Sequence, residues 1–249
     1  MMKISILTLF PEMFDSPLKY SLIGKAIERG IIQIDIINLR DYALDKHRQV
    51  DDYPYGGGAG MVIKADVALR ALRELRRLDP ETRTILMSPA GRPLNQQMAR
   101  DLAREKKLLV LCGHYEGVDE RVLTEIDDQV SIGDYILMGG ETAALVLIEV
   151  VVRLVPGVLG SEISIDDESF SDGLLEYPQY TRPRKVGELE VPPVLLSGNH
   201  EEIRRWRKKE SVRKTLLMRP DLLLKKRLDE EEKKYLMEIL FPGEDGEQP

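Results

Sequence analysis

The chain has 249 residues, 43% of them hydrophobic, and a formal net charge of −7; that length suits one large domain plus a small one, with enough apolar residues for a real core. One cysteine, Cys112, excludes an internal disulfide and favours a reducing compartment. No stretch approaches the ~20 apolar residues of a membrane span, and the opening MMKISILTLFPEMF meets proline and acid too early for a signal peptide, so the expectation is a soluble, cytoplasmic protein.

Taken in order, Lys3–Phe10 alternates and reads as a strand ended by Pro11. Glu12–Arg29 has helical spacing at Met13, Leu18, Leu22, Ile23, Ala26 and Ile27, with Gly30 as its stop. Ile31–Leu39 reads as a second strand, and strand–helix–strand predicts a parallel sheet with helices packed on it.

Arg40–Met61 is polar, carries Gly56, Gly57, Gly58 and Gly60, and has no period. A loop this long is functional or mobile. It lacks the Lys-Ser/Thr ending of a phosphate-binding loop, which argues against an NTPase. His47 has no second His or Cys at ligand spacing, so no metal site is expected there.

Lys64–Leu78 reads as an amphipathic helix, Thr82–Met87 as a strand ending in a tight polar turn at Ser88–Pro93, and Leu94–Lys106 as a helix. Leu108–Cys112 is a buried strand whose cysteine is a small core hydrophobe. A glycine-bounded turn follows at Gly113–Gly117, then a charged helical segment, a short strand, and a second glycine-rich turn at Ser131–Gly140. Two such turns are either ordinary connections or places where backbone approaches a ligand closely. Glu141–Val155 is apolar nearly all round between Ala143 and Val152. Such a helix needs burial on several sides, from a large core or, the favoured reading, from a homodimer interface. Three turns thus follow three strands on one side of the sheet, where open α/β sheets bind ligands.

From His200 to Leu228 there are eleven Lys/Arg against four Asp/Glu, about +7, leaving about −14 on the rest. A basic block with Trp206 inside it suits a polyanion such as RNA, although charge runs are commonly just solvated helix faces.

The segments DDYPYGGGAGM, LCGHYEGVDERV, SIGDYILMGGE, RLVPGVLG, SFSDGLLEYPQYTRP and VPPVLLSGNHEEIRRWR, in this order and spacing, resemble the bacterial tRNA (guanine-N1)-methyltransferases that modify guanine 37 beside the anticodon, the TrmD family of the SPOUT superfamily. The likeness runs from LFPEMF at residue 9 to the helices near residue 240. It implies an α/β SPOUT fold whose parallel sheet is threaded into a deep trefoil knot, an exception to ordinary topology. It also implies a homodimer with shared active sites, and boundaries of 1–160 for the methyltransferase domain, 161–175 for a linker and 176–249 for a helical tRNA-binding domain.

The resemblance assigns S-adenosylmethionine to three knot loops. The first holds Ser88, Pro89 and Gly91. The second holds Gly113, Tyr115, Glu116 and Gly117. The third holds Ile132, Gly133, Asp134, Tyr135, Ile136 and Leu137 with Gly139 and Gly140, its apolar residues sandwiching the adenine or merely packing the core. Methyl transfer to N1 of guanine calls for a general base and for charge stabilisation at O6. Arg153, just before PGVLG, matches the arginine. Glu168, just before Ser169-Phe170, matches the base, where the family most often has aspartate; Asp172 is the rival, and Asp166 and Asp167 are weaker ones. Ser164–Leu175 is expected to order with tRNA. Tyr180, Arg182, Ser197 and Asn199 belong to motifs near the anticodon side, and Arg204, Arg205, Arg207, Lys208 and Arg213, with Lys209 and Lys214, are expected on phosphates. Gly243–Pro249 is expected to be a disordered end. A Mg²⁺ dependence is left open by a sequence with no dedicated metal cluster, and the expected partner is tRNA with guanine at position 37. The rival readings are a SPOUT enzyme acting on rRNA or a ribose hydroxyl, which would lack the SFSDGLLEYPQYTRP and LSGNH motifs, and a non-catalytic RNA-binding protein, against which Arg153 and the linker carboxylates argue.

Overall fold

Strand β1 (Met2–Thr8) puts Ile4 and Ile6 on one face and Leu7 on the other, all buried. The chain then bends at two short 3-10 turns, Pro11–Phe14 and Pro17–Lys19, before helix α1 (Ser21–Glu28). The continuous helix expected over Glu12–Arg29 is therefore broken. Pro17 has no N–H to continue a helix, and Ser21 adopts φ +60°. Gly24 lets α1 fold back on this turn, since a Cβ there would lie 2.5 Å from the Lys19 carbonyl oxygen. Gly30, at φ +66°, ends the element as expected and leads into β2 (Ile32–Asn38).

The long polar segment is tied at its foot. Strand β3 (Asp51–Asp52) pairs antiparallel with β4 (Val62–Ile63), and Val50 is fully buried beneath them. Helix α2 (Ala65–Leu78) packs Val67, Ala68, Ala71 and Leu72 inward. Strand β5 (Arg83–Pro93) is longer than expected. Ser88–Pro93 is not a tight turn: the chain leaves its ladder after Met87 and rejoins the neighbouring strand at Arg92. Helix α3 (Gln96–Leu102), capped by Asn95 Oδ1 accepting from the Met98 amide at 2.9 Å, is shorter than the expected 94–106. Strand β6 (Lys107–Cys112) follows, then a 3-10 turn over Glu120–Glu125 in place of the expected helical segment, then β7 (Asp128–Ser131). Helix α4 (Gly140–Val152) stops before the expected Val155.

The five main strands form one parallel sheet in the order β2-β1-β6-β5-β7. Strand β6 is buried on both faces. Leu108, Val110 and Cys112 meet the α1/α4 layer, while Leu109 and Leu111 meet the α2 layer. Burying each such leucine or valine stabilises the fold by about 1.5–3 kcal/mol. Much of α4 is absorbed by this core through Ala144, Leu147, Ile148, Val151 and Val152; Thr142, Val146 and Glu149 face outward.

The computed structural model describes residues 1–159 and 168–241. The chain divides into two compact units, Met1–Gly160 and Ser161–Pro249. The second unit holds a small hairpin of β8 (Lys185–Val186) and β9 (Leu189–Glu190), then α5 (His200–Met218), α6 (Pro220–Lys225) and α7 (Glu230–Leu240). Pro220 opens α6 and ends α5. Asp229 and Glu232 form a reciprocal capping box on α7. Residues 160–167, with Asp166 and Asp167, and the terminal stretch Gly243–Pro249 lie outside the described residues. Among the described residues no helix is long and apolar enough to cross a membrane, and no group of His, Cys, Asp and Glu is placed to hold a metal ion.

Candidate cofactor cavity and nucleic-acid interface

At the carboxyl ends of β5, β6 and β7 the sheet opens into a cavity of about 540 Å³, the position where parallel sheets bind ligands. Its first wall is the excursion of β5, where Ser88 Oγ accepts from the Ala90 amide at 3.2 Å. Its second wall follows β6. Tyr115 at φ +59° and Gly117 at φ +124° turn the chain sharply, and the Gly117 amide donates to the His114 carbonyl at 3.0 Å. Its third wall follows β7. There the Tyr135 hydroxyl donates to the Ile132 carbonyl at 2.9 Å, laying its ring over Gly133, where a Cβ would come within 2.4 Å of it.

The second and third walls are locked together. The Gly140 amide donates to the Gly113 carbonyl at 2.7 Å, and His114 and Gly139 form an antiparallel bridge. A Cβ on Gly140 would lie 2.8 Å from the Gly113 nitrogen, so only glycine permits this approach. Behind the joint, Glu141 is 1% exposed. The Thr8 hydroxyl donates to its Oε1 at 2.8 Å, and His114 Nδ1 stands 3.7 Å from its Oε2. Burial, then the Glu141 charge, pushes the Cys112 thiol well up, as befits a core hydrophobe and not a nucleophile. The Thr8–Glu141–His114 cluster is invisible in the sequence because its members come from β1, α4 and the turn after β6; the only local hint is an acid in the first turn of an apolar helix.

The structure gathers the expected cofactor residues into this cavity, with two exceptions. Gly91 is not on the wall; it lets β5 pass against β7, where a Cβ would meet the Val130 nitrogen at 2.4 Å. Asp134 is not on the wall either. Leu86, His114, Gln129, Met138 and Ala143 line the cavity without having been singled out. The glycine-rich segment packs against the second wall. The Glu116 amide donates to the Met61 carbonyl at 3.0 Å, and Gly60 sits where a Cβ would lie 2.4 Å from Glu116 Oε1.

The expected catalytic residues fall in both units. Arg153 caps α4, half-buried, and does not line the cavity. Glu168 and Asp172 belong to the second unit. Asp172 is committed structurally: its Oδ1 accepts from the Leu174 amide at 3.0 Å and its Oδ2 pairs with Lys226 at 2.9 Å. Burial alone would lower the Lys226 ammonium, but its bonds to Glu232 and Asp172 outweigh this and raise it.

In the second unit Tyr180 and Arg182 line a cavity of about 390 Å³ with Trp206 and Arg207. Ser197 and Asn199 shape the start of α5: Ser197 Oγ accepts from the Asn199 amide, and Asn199 Oδ1 accepts from the Glu201 and Glu202 amides. Several basic residues expected on phosphates are held by acids. Arg204 pairs with Glu201 and Glu231, Arg205 with Glu201, Lys208 with Asp229 and Glu231, and Lys209 with Glu238. Arg213 stands 3.6 Å from Glu210. Arg204, then Lys208 and Tyr235, pulls Glu231 down to about 2. The basic block is thus partly neutralised by its own Glu201 and Glu210 and by Asp229 and the acids of α7, which begin one residue past Leu228.

The family model described as "tRNA (Guanine-1)-methyltransferase TrmD" matches residues 2–225. A tRNA (guanine-N(1)-)-methyltransferase of Syntrophomonas wolfei subsp. wolfei is 63% identical over 243 residues, covering 98% of this chain and 99% of the relative. Enzymes of the same name from Carboxydothermus hydrogenoformans and Dictyoglomus turgidum are 56% and 53% identical, each over 96% of this chain and over 94% and 97% of their own lengths. With most of its length matched both by the family model and by these relatives, the chain belongs to the tRNA (guanine-1)-methyltransferase TrmD family.

Proposed function

We propose that this chain transfers a methyl group from S-adenosylmethionine to N1 of guanine 37 in tRNA, as a homodimer of the SPOUT type with its knot around the three loops. The observation that carries the reading is the three-walled cavity at the carboxyl edge of the sheet, in a chain of this family. The cavity fits the methyl donor by chemistry. Ile132, Leu137 and Ala143 offer apolar surface to an adenine, and the glycines of the second and third walls leave main-chain groups open to a ribose. Ser88 and Glu116 add polar side chains at the same cavity. Exposed Ile136, Met138 and Val146 are apolar surface that a second copy would cover.

When bound, S-adenosylmethionine supplies an electrophilic methyl group on a sulfonium. Guanine N1 carries a proton, so its attack needs a base and relief of charge on O6. Glu168 takes that proton as the N1–methyl bond forms and the sulfur–methyl bond breaks. The Arg153 guanidinium steadies the charge gathering on O6. The second unit grips the tRNA through Tyr180, Arg182 and the basic residues of α5.

The test is a methylation assay on tRNA transcripts bearing guanine or adenine at position 37. The expected product is N1-methylguanine, formed only on the guanine transcript. A ribose-methylated product or a different target nucleotide would overturn the reading in favour of another SPOUT activity. No transfer, with RNA still bound, would favour a non-catalytic RNA-binding protein. Chelation of Mg²⁺ in the same assay decides whether the ion is required.

A further inference from the structure

The second unit is laced with ion pairs, yet three arginines around its cavity stand apart. Among the described residues Arg204, Arg205, Lys208, Lys209 and Arg219 each pair with a carboxylate, while Arg182, Arg184 and Arg207 pair with none. Those three line the cavity of about 390 Å³ together with Tyr177, Tyr180 and Trp206. The Arg207 guanidinium lies over the Tyr177 ring at 4.8 Å, held by an aromatic face with its N–H donors still available. The Tyr180 and Trp206 rings stand 6.2 Å apart at 54°, so a flat guest stacked on one meets the edge of the other. Tyr180 is 47% exposed, a large aromatic left open at the mouth.

Aromatic faces beside unpaired guanidinium groups are the chemistry that recognises a single-stranded nucleotide: stacking for the base, charge for its phosphate. We propose that this cavity binds one unpaired nucleobase of the RNA substrate, stacked on Trp206 or Tyr180, with Arg182, Arg184 and Arg207 at the phosphates flanking it. The assignment rests on the tRNA reading above and adds to it a base-binding subsite. It separates two kinds of basic residue. Arg204 and Lys208 hold α5 to α7, and the cavity arginines hold RNA.

Trp206 is the only tryptophan in the chain, so its emission reports this cavity directly. A guanine-37 tRNA transcript is titrated into the full-length protein, with binding followed by anisotropy of labelled tRNA and Trp206 by emission and by acrylamide quenching. The expected result is an emission change that tracks binding and lower acrylamide access in the complex. Linear polyphosphate should leave the emission unchanged, because charge without a base cannot stack. Tyr180→Ala should weaken tRNA binding roughly 5- to 100-fold, the range for losing one stacked base, and Tyr180→Phe should restore it; S-adenosylmethionine binding checks that the variants are folded. Three results overturn the proposal while leaving the methyltransferase reading intact: tRNA binding and methylation with Trp206 emission and access unchanged, full affinity in Tyr180→Ala, or an equal emission change with polyphosphate. Absence of both tRNA binding and methylation in the unaltered protein would instead sink the tRNA reading, and this subsite with it.

Discussion

The two units are stabilised by different physics. The first is built on a five-stranded parallel sheet with strand β6 buried on both faces, and its site is formed by backbone at the sheet's edge. In the second, Leu174, Val212 and Tyr235 are the buried hydrophobics among the described residues, and carboxylate–guanidinium and carboxylate–ammonium pairs tie α5 to α7. The lesson is a division of labour. A rigid apolar scaffold holds glycine loops around a cavity of small-molecule size. On the proposed reading, an ion-paired helical unit presents to a polyanion the arginines that its own acids leave unpaired.

The strongest test of that division is chemical. Glu168 lies in the ionic unit and Arg153 in the apolar one. Glu168→Gln and Arg153→Ala should each cut single-turnover methylation by roughly 10²-fold or more. S-adenosylmethionine affinity, which the proposal assigns to the sheet's loops, should persist in both. Full activity in Glu168→Gln would transfer the role of base to Asp172. Lost cofactor binding in it would mean that the units do not divide the work.

A smaller effect is expected inside the apolar unit. Gly140→Ala places a Cβ against the Gly113 nitrogen and the Cys112 Cα, at 2.8 and 2.9 Å, and both are backbone. The second and third walls must then part. Overpacking of this kind costs about 1–3 kcal/mol, so cofactor affinity measured by calorimetry should fall on the order of tenfold, while Trp206 emission in the other unit stays as it was. Unchanged cofactor affinity would show that the locked walls do not shape the site.

The sequence made the scaffold legible and the joints obscure. Leu108–Cys112 reads as a strand because burial on both faces writes an unbroken apolar run. Two of the three walls are visible as glycine-rich turns and the first as a polar stretch around Pro89 and Gly91, but their convergence depends on β5, β6 and β7 lying side by side, a pairing no local pattern encodes. Thr8 and Glu141 lie 133 residues apart, so their hydrogen bond could not be read. Glu12–Arg29 was legible as apolar spacing and illegible as a helix, because Pro17 and the positive φ of Ser21 outweigh the period. The basic block ending at Leu228 looked less opposed than it is because three further counter-charges, Asp229, Glu231 and Glu238, begin one residue later and reach back across α5 only in the folded unit.

Acid sharpens the comparison further, with one native probe in each unit: Cys112, the only cysteine, in the sheet and Trp206, the only tryptophan, in the tail. Glu231 is held at about 2 by Arg204, then Lys208. A depressed carboxylate contributes stability that is complete above its unfolded value of about 4.3 and is lost as pH falls towards about 2. Asp221, held at about 2 by Arg219, acts in the same window and the same unit. In the sheet unit, burial would raise Asp128, but Arg83 and Arg92 overcome this and lower it, so acid also removes a contribution there. That unit keeps its apolar core when the pair is lost, because burial of aliphatic side chains does not titrate. Trp206 emission should therefore change at higher pH than the pH at which Cys112 becomes reactive to a dithiodipyridine, a reagent that attacks thiols in acid. Molar salt should move the Trp206 transition upward and the Cys112 transition much less, since screening weakens exposed pairs and leaves apolar burial standing. Coincident transitions for the two probes would mean that the units unfold as one, and that the ionic tail draws its stability from the sheet after all.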